Sequence, residues 1–112
     1  MLSKELKTKA VKAASLYIEM RGHKILEQNW SLGRSRIDIV SIKNSKVHFI
    51  EVDVQSTRGD RDTYLSQAKL NKIKNAVDSW LQENKSATSY AYSSVILDET
   101  MTILSFNEDL AY

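Results

Sequence analysis

Two stretches of the chain return their apolar residues at helical spacing, and five shorter runs carry the β-branched and aromatic residues of strands. From Lys4 to Arg21, Leu6, Ala10, Ala13, Ala14, Tyr17 and Ile18 recur at three and four residues, lysines take the other side, and Gly22 supplies a stop. From Thr63 to Glu83 a second stripe of Leu65, Ala68, Ile73, Ala76, Val77, Trp80 and Leu81 predicts another helix. The β-type runs are His23–Trp30, Ile37–Ile42, Val47–Val54, Ser89–Leu97 and Thr100–Phe106. Ser31-Leu32-Gly33 reads as the turn after the first run, and Asp98-Glu99 as the turn between the last two. The tail from Asn107 to Tyr112 offers no candidate site.

The predicted order is helix, three strands, helix, two strands. That makes an α/β sandwich with helices flanking a mixed central sheet, and the excursion from Val54 to Tyr90 is long enough to join two parallel strands. A length of 112 residues fits a single domain spanning 1–112.

The polar link Lys43-Asn44-Ser45-Lys46 between two strand runs predicts an antiparallel hairpin. With Asn44 and Ser45 as its loop residues, Ile42 faces Val47, Asp38 faces Glu51 and Arg36 faces Asp53. Side chains alternate along a strand, so Glu51, Asp53 and Gln55 share a face with Asp38. Two carboxylates ~5 Å apart across a sheet repel each other. A cation between them resolves the conflict, and hard divalent ions such as Mg²⁺ prefer carboxylate oxygens. The competing reading makes both acids solvated groups on an open sheet face, each answered by a neighbouring Arg or Lys. A slip of one residue would separate them altogether.

Composition narrows the setting. Residues are 42% hydrophobic and 27% charged, as in an ordinary globular domain, and the absence of cysteine excludes disulfides and thiolate chemistry. No apolar run approaches membrane-spanning length, and the lysine-studded N-terminal stretch is unlike a signal peptide, so a cytoplasmic protein without membrane contact is expected. A net charge of +2 is too small to announce nucleic-acid binding by itself. Local groups matter more. Arg34 and Arg36 precede the first acid, Arg58 and Arg61 lie in the polar loop Ser56–Asp62, and Lys69 and Lys72 give the second helix a basic start. All six are candidate phosphate contacts, with plain surface charge as the alternative. Lys4, Lys7, Lys9 and Lys12 read as a solvated helix face, His23 as a loop histidine beside a helix end, and Trp30 as a core-packed residue.

The phrases KAASLYIEMRGHKILEQNW, RIDIVSIKNSKVHFIEVDVQ and KLNKIKNAVDSWL resemble, in order and spacing, the YraN family of small endonuclease-like proteins, distant relatives of archaeal Holliday junction resolvases. The similarity runs from about Ala10 to Leu81, and ILSFNEDLAY loosely fits the family's ending. The resemblance implies a restriction-endonuclease-like fold with a PD-(D/E)XK type site, binding Mg²⁺ or Mn²⁺ and acting on nucleic acid, DNA in the first instance. It also implies a possible homodimer, because junction-cutting relatives act in pairs. The family's two metal-binding carboxylates fall on Asp38 and Glu51. Its lysine falls on Asp53, its acid before the first carboxylate on Arg36, its arginine after the lysine on Gln55, and its first-helix glutamate on Val11.

Two functions remain open. In one, the protein is a divalent-metal-dependent nuclease in which Asp38, Glu51 and Asp53 form the metal and catalytic set, with Lys69 or Arg36 as electrostatic support. In the other, cleavage has been lost with the lysine, leaving a nucleic-acid- or protein-binding relative with Arg36–Asp53 as a structural pair.

Overall fold

A computed structural model describes residues 4–55, 67–87 and 89–110, with side chains at all of these except 67–70, 109 and 110. The elements are α1 (Lys4–Met20), β1 (Lys24–Leu32), β2 (Ser35–Lys43), β3 (Lys46–Val54), α2 (Gln67–Glu83), β4 (Tyr90–Leu97) and β5 (Ile103–Leu110). This is the anticipated α/β order αβββαββ around a mixed five-stranded sheet, consistent with the restriction-endonuclease-like sandwich. The strands lie in chain order; β3 and β4 are parallel and every other neighbour is antiparallel. Among the described residues, no helix is long and apolar enough to cross a membrane.

Local chemistry explains the boundaries. Helix α1 closes with His23 N–H donating to Ile18 C=O and Gly22 N–H to Glu19 C=O, both 3.0 Å. This paired closure needs a left-handed residue, and Gly22 provides it at φ 94°. The β2–β3 turn has the two loop residues expected, Asn44 and Ser45, at φ 53° and 64°. Both values are positive, as the tight turn that matches strand twist requires.

Two of the expected boundaries shift. The β1–β2 strands run on to Leu32 and back from Ser35, so the turn contracts to Gly33-Arg34. Gly33 takes φ 61°, which lets both strands lengthen. The predicted tail is also strand: β5 continues through Asn107 to Leu110, pairing with β4 at Ser94 and Tyr92. Its polar residues suit a strand with one neighbour and one open edge.

Each helix covers part of the sheet. Ala10, Val11, Ala14 and Ile18 of α1 pack on Ile39, Ile50, Val52, Val95 and Leu97. Ile73, Ala76, Val77 and Trp80 of α2 pack on Ile37, Val40, Val47 and Phe49, with Trp30 half-buried against them. Phe49 meets the Trp80 ring edge-on at 5.3 Å between centroids. The near-continuous apolar character of β2 and β3 follows from this double coverage.

Candidate functional site

The β2–β3 register is the one expected from the turn: Ile42 pairs with Val47 and Ile39 with Ile50. The ladder ends there. Beyond Ile39 and Ile50 the strands fork, β2 staying with β1 through Arg36↔Ser31 and β3 with β4 through Glu51↔Ser94 and Asp53↔Ile96. Asp38 and Glu51 are the first residues past the fork. They are therefore not a ladder pair, and a side-chain bond spans the gap: Val52 N–H donates to Asp38 Oδ2 at 2.8 Å. Asp38 is 3% exposed, so its carboxylate is committed to the interior.

The cation that these acids require comes from helix α1. Lys7 Nζ lies 2.8 Å from Asp38 Oδ2 and 3.9 Å from Glu51 Oε1, and it donates to the Val52 carbonyl. Three oxygens from β2 and β3 thus surround one ammonium. Reading Lys7 as part of a solvated helix face is overturned. A signal for it was present: Lys7 stands one helical turn before Val11, so both project from the same side of α1. Val11 is sealed into the core at 1% exposure, while the longer lysine reaches past the core to the fork.

A cavity of about 620 Å³ opens beside this cluster. Asp38, Glu51 and Lys7 line it together with Arg34, Ser35 and Arg36 from β2 and its turn, and Lys72, Ile73 and Asn75 from α2. Four cationic side chains face two acids, so the cavity carries an excess of positive charge that suits a polyanion. Arg34, Arg36 and Lys72, three of the expected phosphate contacts, are brought together on its walls. Asp53 is placed differently. Its Oδ1 accepts the neighbouring Val54 N–H at 2.9 Å, and it is not among the described residues lining the cavity. Arg58 and Arg61, and the side chain of Lys69, lie outside the described residues.

Two carboxylates and a main-chain carbonyl directed at one point are a donor set of hard oxygens, the kind that Mg²⁺ or Mn²⁺ takes. Asp38, Glu51 and the Val52 carbonyl fit such an ion, provided the Lys7 ammonium moves aside into the cavity.

A second cluster escaped the sequence reading. His23, read above as a loop histidine beside a helix end, does lie between α1 and β1 but is only 4% exposed, and its Nε2 lies 2.7 Å from Glu108 Oε1. Glu108 belongs to the segment assigned to a featureless tail, and His48 beside it had drawn no attention. No spacing rule links positions 23, 48 and 108. Only the folded sheet brings them together.

Comparison with known proteins supplies the lineage. The chain is 31% identical over 105 residues to a UPF0102 protein of Aliarcobacter butzleri, covering 92% of this chain and 96% of that one. Against the UPF0102 protein of Helicobacter hepaticus it is 30% identical over 98 residues, 87% of each. A third relative, UPF0102 protein Mmwyl1_2395 of a Marinomonas strain, is 30% identical over 94 residues, 81% of this chain and 74% of the relative. The family model described as uncharacterised protein family UPF0102 matches residues 11–100, which include both forked strands, and the chain belongs to that family.

Proposed function

We propose that this protein is a divalent-metal-dependent nuclease acting on DNA or structured nucleic acid, with Asp38, Glu51 and the Val52 carbonyl as its metal-binding oxygens and Lys7 as its ammonium. The supporting observation is the convergence of those three oxygens on one cationic nitrogen beside a basic cavity. Resemblance to the YraN family leads one to expect a lysine at position 53, where this chain has Asp53. Lys7 returns an ammonium to the same carboxylates from another element.

An ion bound by these oxygens would neutralise charge on the scissile phosphate and acidify a water. The protein's own groups do the remaining work. Arg34, Arg36 and Lys72 hold the phosphate backbone over the cavity. Lys7, released from the oxygens, donates to a phosphate oxygen or to the attacking water. Its long, flexible stem allows that excursion. Positioned groups of this kind contribute ~10²–10⁴ in rate.

One observation favours a second reading. The Lys7 ammonium already satisfies the acids, so the same cluster could serve as a permanent ion pair within a nucleic-acid-binding protein that does not cleave. The deciding experiment is a Mg²⁺ and Mn²⁺ titration by calorimetry on the native protein, Asp38→Ala and Glu51→Ala, with cleavage of branched, single-stranded and duplex DNA assayed in parallel. Metal binding and cleavage that both vanish in the two variants support the nuclease. Nucleic-acid binding without metal uptake or cleavage supports the second reading.

A further inference from the structure

On the α1 side of the sheet, at the far end of β3 from the fork, His23, His48 and Glu108 each direct one ligand atom into a common space, and these atoms lie within 4.8 Å of one another. The two imidazole rings are buried, edge to face, with centroids 4.7 Å apart. Each ring is held through Nδ1 by a serine hydroxyl on the sheet, His23 by Ser41 at 2.8 Å and His48 by Ser93 at 3.3 Å. Every strand, or its immediate flank, therefore contributes to the cluster. We propose that His23, His48 and Glu108 form a second metal site, selective for zinc and distinct from the oxygen cage at the fork.

The donor set carries the choice of ion. The two imidazoles are borderline donors that favour Zn²⁺ over Mg²⁺, and two imidazoles with one carboxylate match the three protein ligands of open zinc sites. Hydrogen bonds to the second ring nitrogen fix the tautomer and orientation of a ligating histidine, and the serine contact at His23 Nδ1 has that form, leaving Nε2 for the ion. Bonds of ~2.0–2.1 Å to a tetrahedral ion set ligand atoms ~3.4 Å apart. The 2.7 Å His23–Glu108 edge therefore has to open by about 0.7 Å. Glu108 can supply that movement, because its side chain is 36% exposed on the last strand, and any edge near the 4.8 Å limit closes by up to about 1.4 Å. Lys43 Nζ, 3.8 Å from the same Glu108 oxygen, is a flexible competitor that a doubly charged ion displaces. His48 and Glu108 also line a cavity of about 320 Å³ with Lys43, Asn44 and Lys46, which leaves room for a water as fourth ligand.

The test uses Zn²⁺ alone on the metal-stripped protein, followed by calorimetry and thermal melting, with Co²⁺ as a spectroscopic stand-in. One equivalent of Zn²⁺ is expected to bind and to raise Tm by on the order of 10 °C at a hundredfold excess over Kd. Glu108→Ala, a substitution at a partly exposed position, should weaken binding at least tenfold and remove the low-coordinate Co²⁺ spectrum while circular dichroism stays native. His48→Phe should do the same with ring volume preserved, whereas Glu51→Gln should leave zinc binding unchanged. Absence of stoichiometric uptake, or equal affinity in Glu108→Ala, overturns the site. Loss of zinc with Glu51→Gln would place the ion at the fork and overturn it equally. None of these readouts depends on cleavage, so failure of the nuclease reading leaves the zinc test intact.

Discussion

Asp38 Oδ2 accepts the main-chain amide of Val52 at 2.8 Å just where β2 and β3 cease to pair. One carboxylate oxygen thereby replaces a rung of the ladder and still contacts Lys7. Charge and hydrogen bonding can be separated at this residue. Asp38→Asn keeps an acceptor for Val52 but loses the charge that faces Lys7, so it should lose metal binding and some stability. Asp38→Ala should lose metal binding and a further ~1–3 kcal/mol, the cost of an unsatisfied buried donor. Urea melts beside metal titrations of the two variants check this. Equal stabilities would mean that the Val52 bond contributes nothing.

Lys7 should behave as a competitor for the metal. Removing it as Lys7→Met takes the 2.8 Å ammonium from buried Asp38, and the metal-free protein should lose about 3 kcal/mol, at the lower end of the range for unpairing a buried charge. The same variant should bind Mg²⁺ at least tenfold more tightly, because no ammonium has to be expelled. Cleavage should nevertheless fall by ~10²–10⁴, since the group that positions water or phosphate is gone. Unchanged Mg²⁺ affinity in calorimetry would show that the ammonium and the metal do not share a seat.

The walls of the cavity should act on affinity alone. Arg34→Ala, Arg36→Ala and Lys72→Ala should each weaken nucleic-acid binding to a similar extent across sequences. Each should also lower the slope of log K against log salt by about 1, as expected of single phosphate contacts. Fluorescence anisotropy at several salt concentrations reads both effects. A change in sequence preference without a change in slope would assign these residues to base contacts.

Asp98 gives the turn from β4 to β5 a dependence on acid. Its carboxylate accepts from the Thr100 hydroxyl at 2.6 Å and from the amides of Thr100 and Thr102 at 2.9 and 3.0 Å. The Thr100 hydroxyl, then the Thr102 and Thr100 amides, hold the carboxyl below its ordinary range against the opposing effect of burial. A lowered native pKa contributes stability above the unfolded value of ~3.9 and loses it as pH falls through the native one. The Tm gap between the native protein and Asp98→Ala should hence be constant near neutrality and shrink below pH ~4. A gap that is flat down to pH 2 would contradict the assignment.

Much of this architecture was legible because the relevant signals are local. Gly22 ends α1, Asn44-Ser45 set the β2–β3 register, and the long excursion between Val54 and Tyr90 made β3 and β4 parallel. Counting from that turn placed Asp38 and Glu51 near each other, though as facing residues of a ladder that in fact ends at Ile39 and Ile50. The fork could not be foreseen, because it depends on β2 following β1 and β3 following β4, a competition among four strands. Lys7 was missed for a related reason: its charge looked solvated on a helix whose opposite neighbours are apolar, and only the docking of α1 shows how far its side chain reaches. The polar run Asn107-Glu108 read as tail because a strand with one partner has no buried alternation to reveal it.

The fork carries a consequence for when the protein can act. Its cage draws on residues 7, 38, 51 and 52, and the Lys7 contact to Val52 closes a separation of 45 positions. A nascent chain that has not yet synthesised β3 has no cage at all, and one whose first helix has not docked has no ammonium in it. Completion of the fold is in this sense a safety catch: whatever chemistry the cage supports is kept out of half-made molecules.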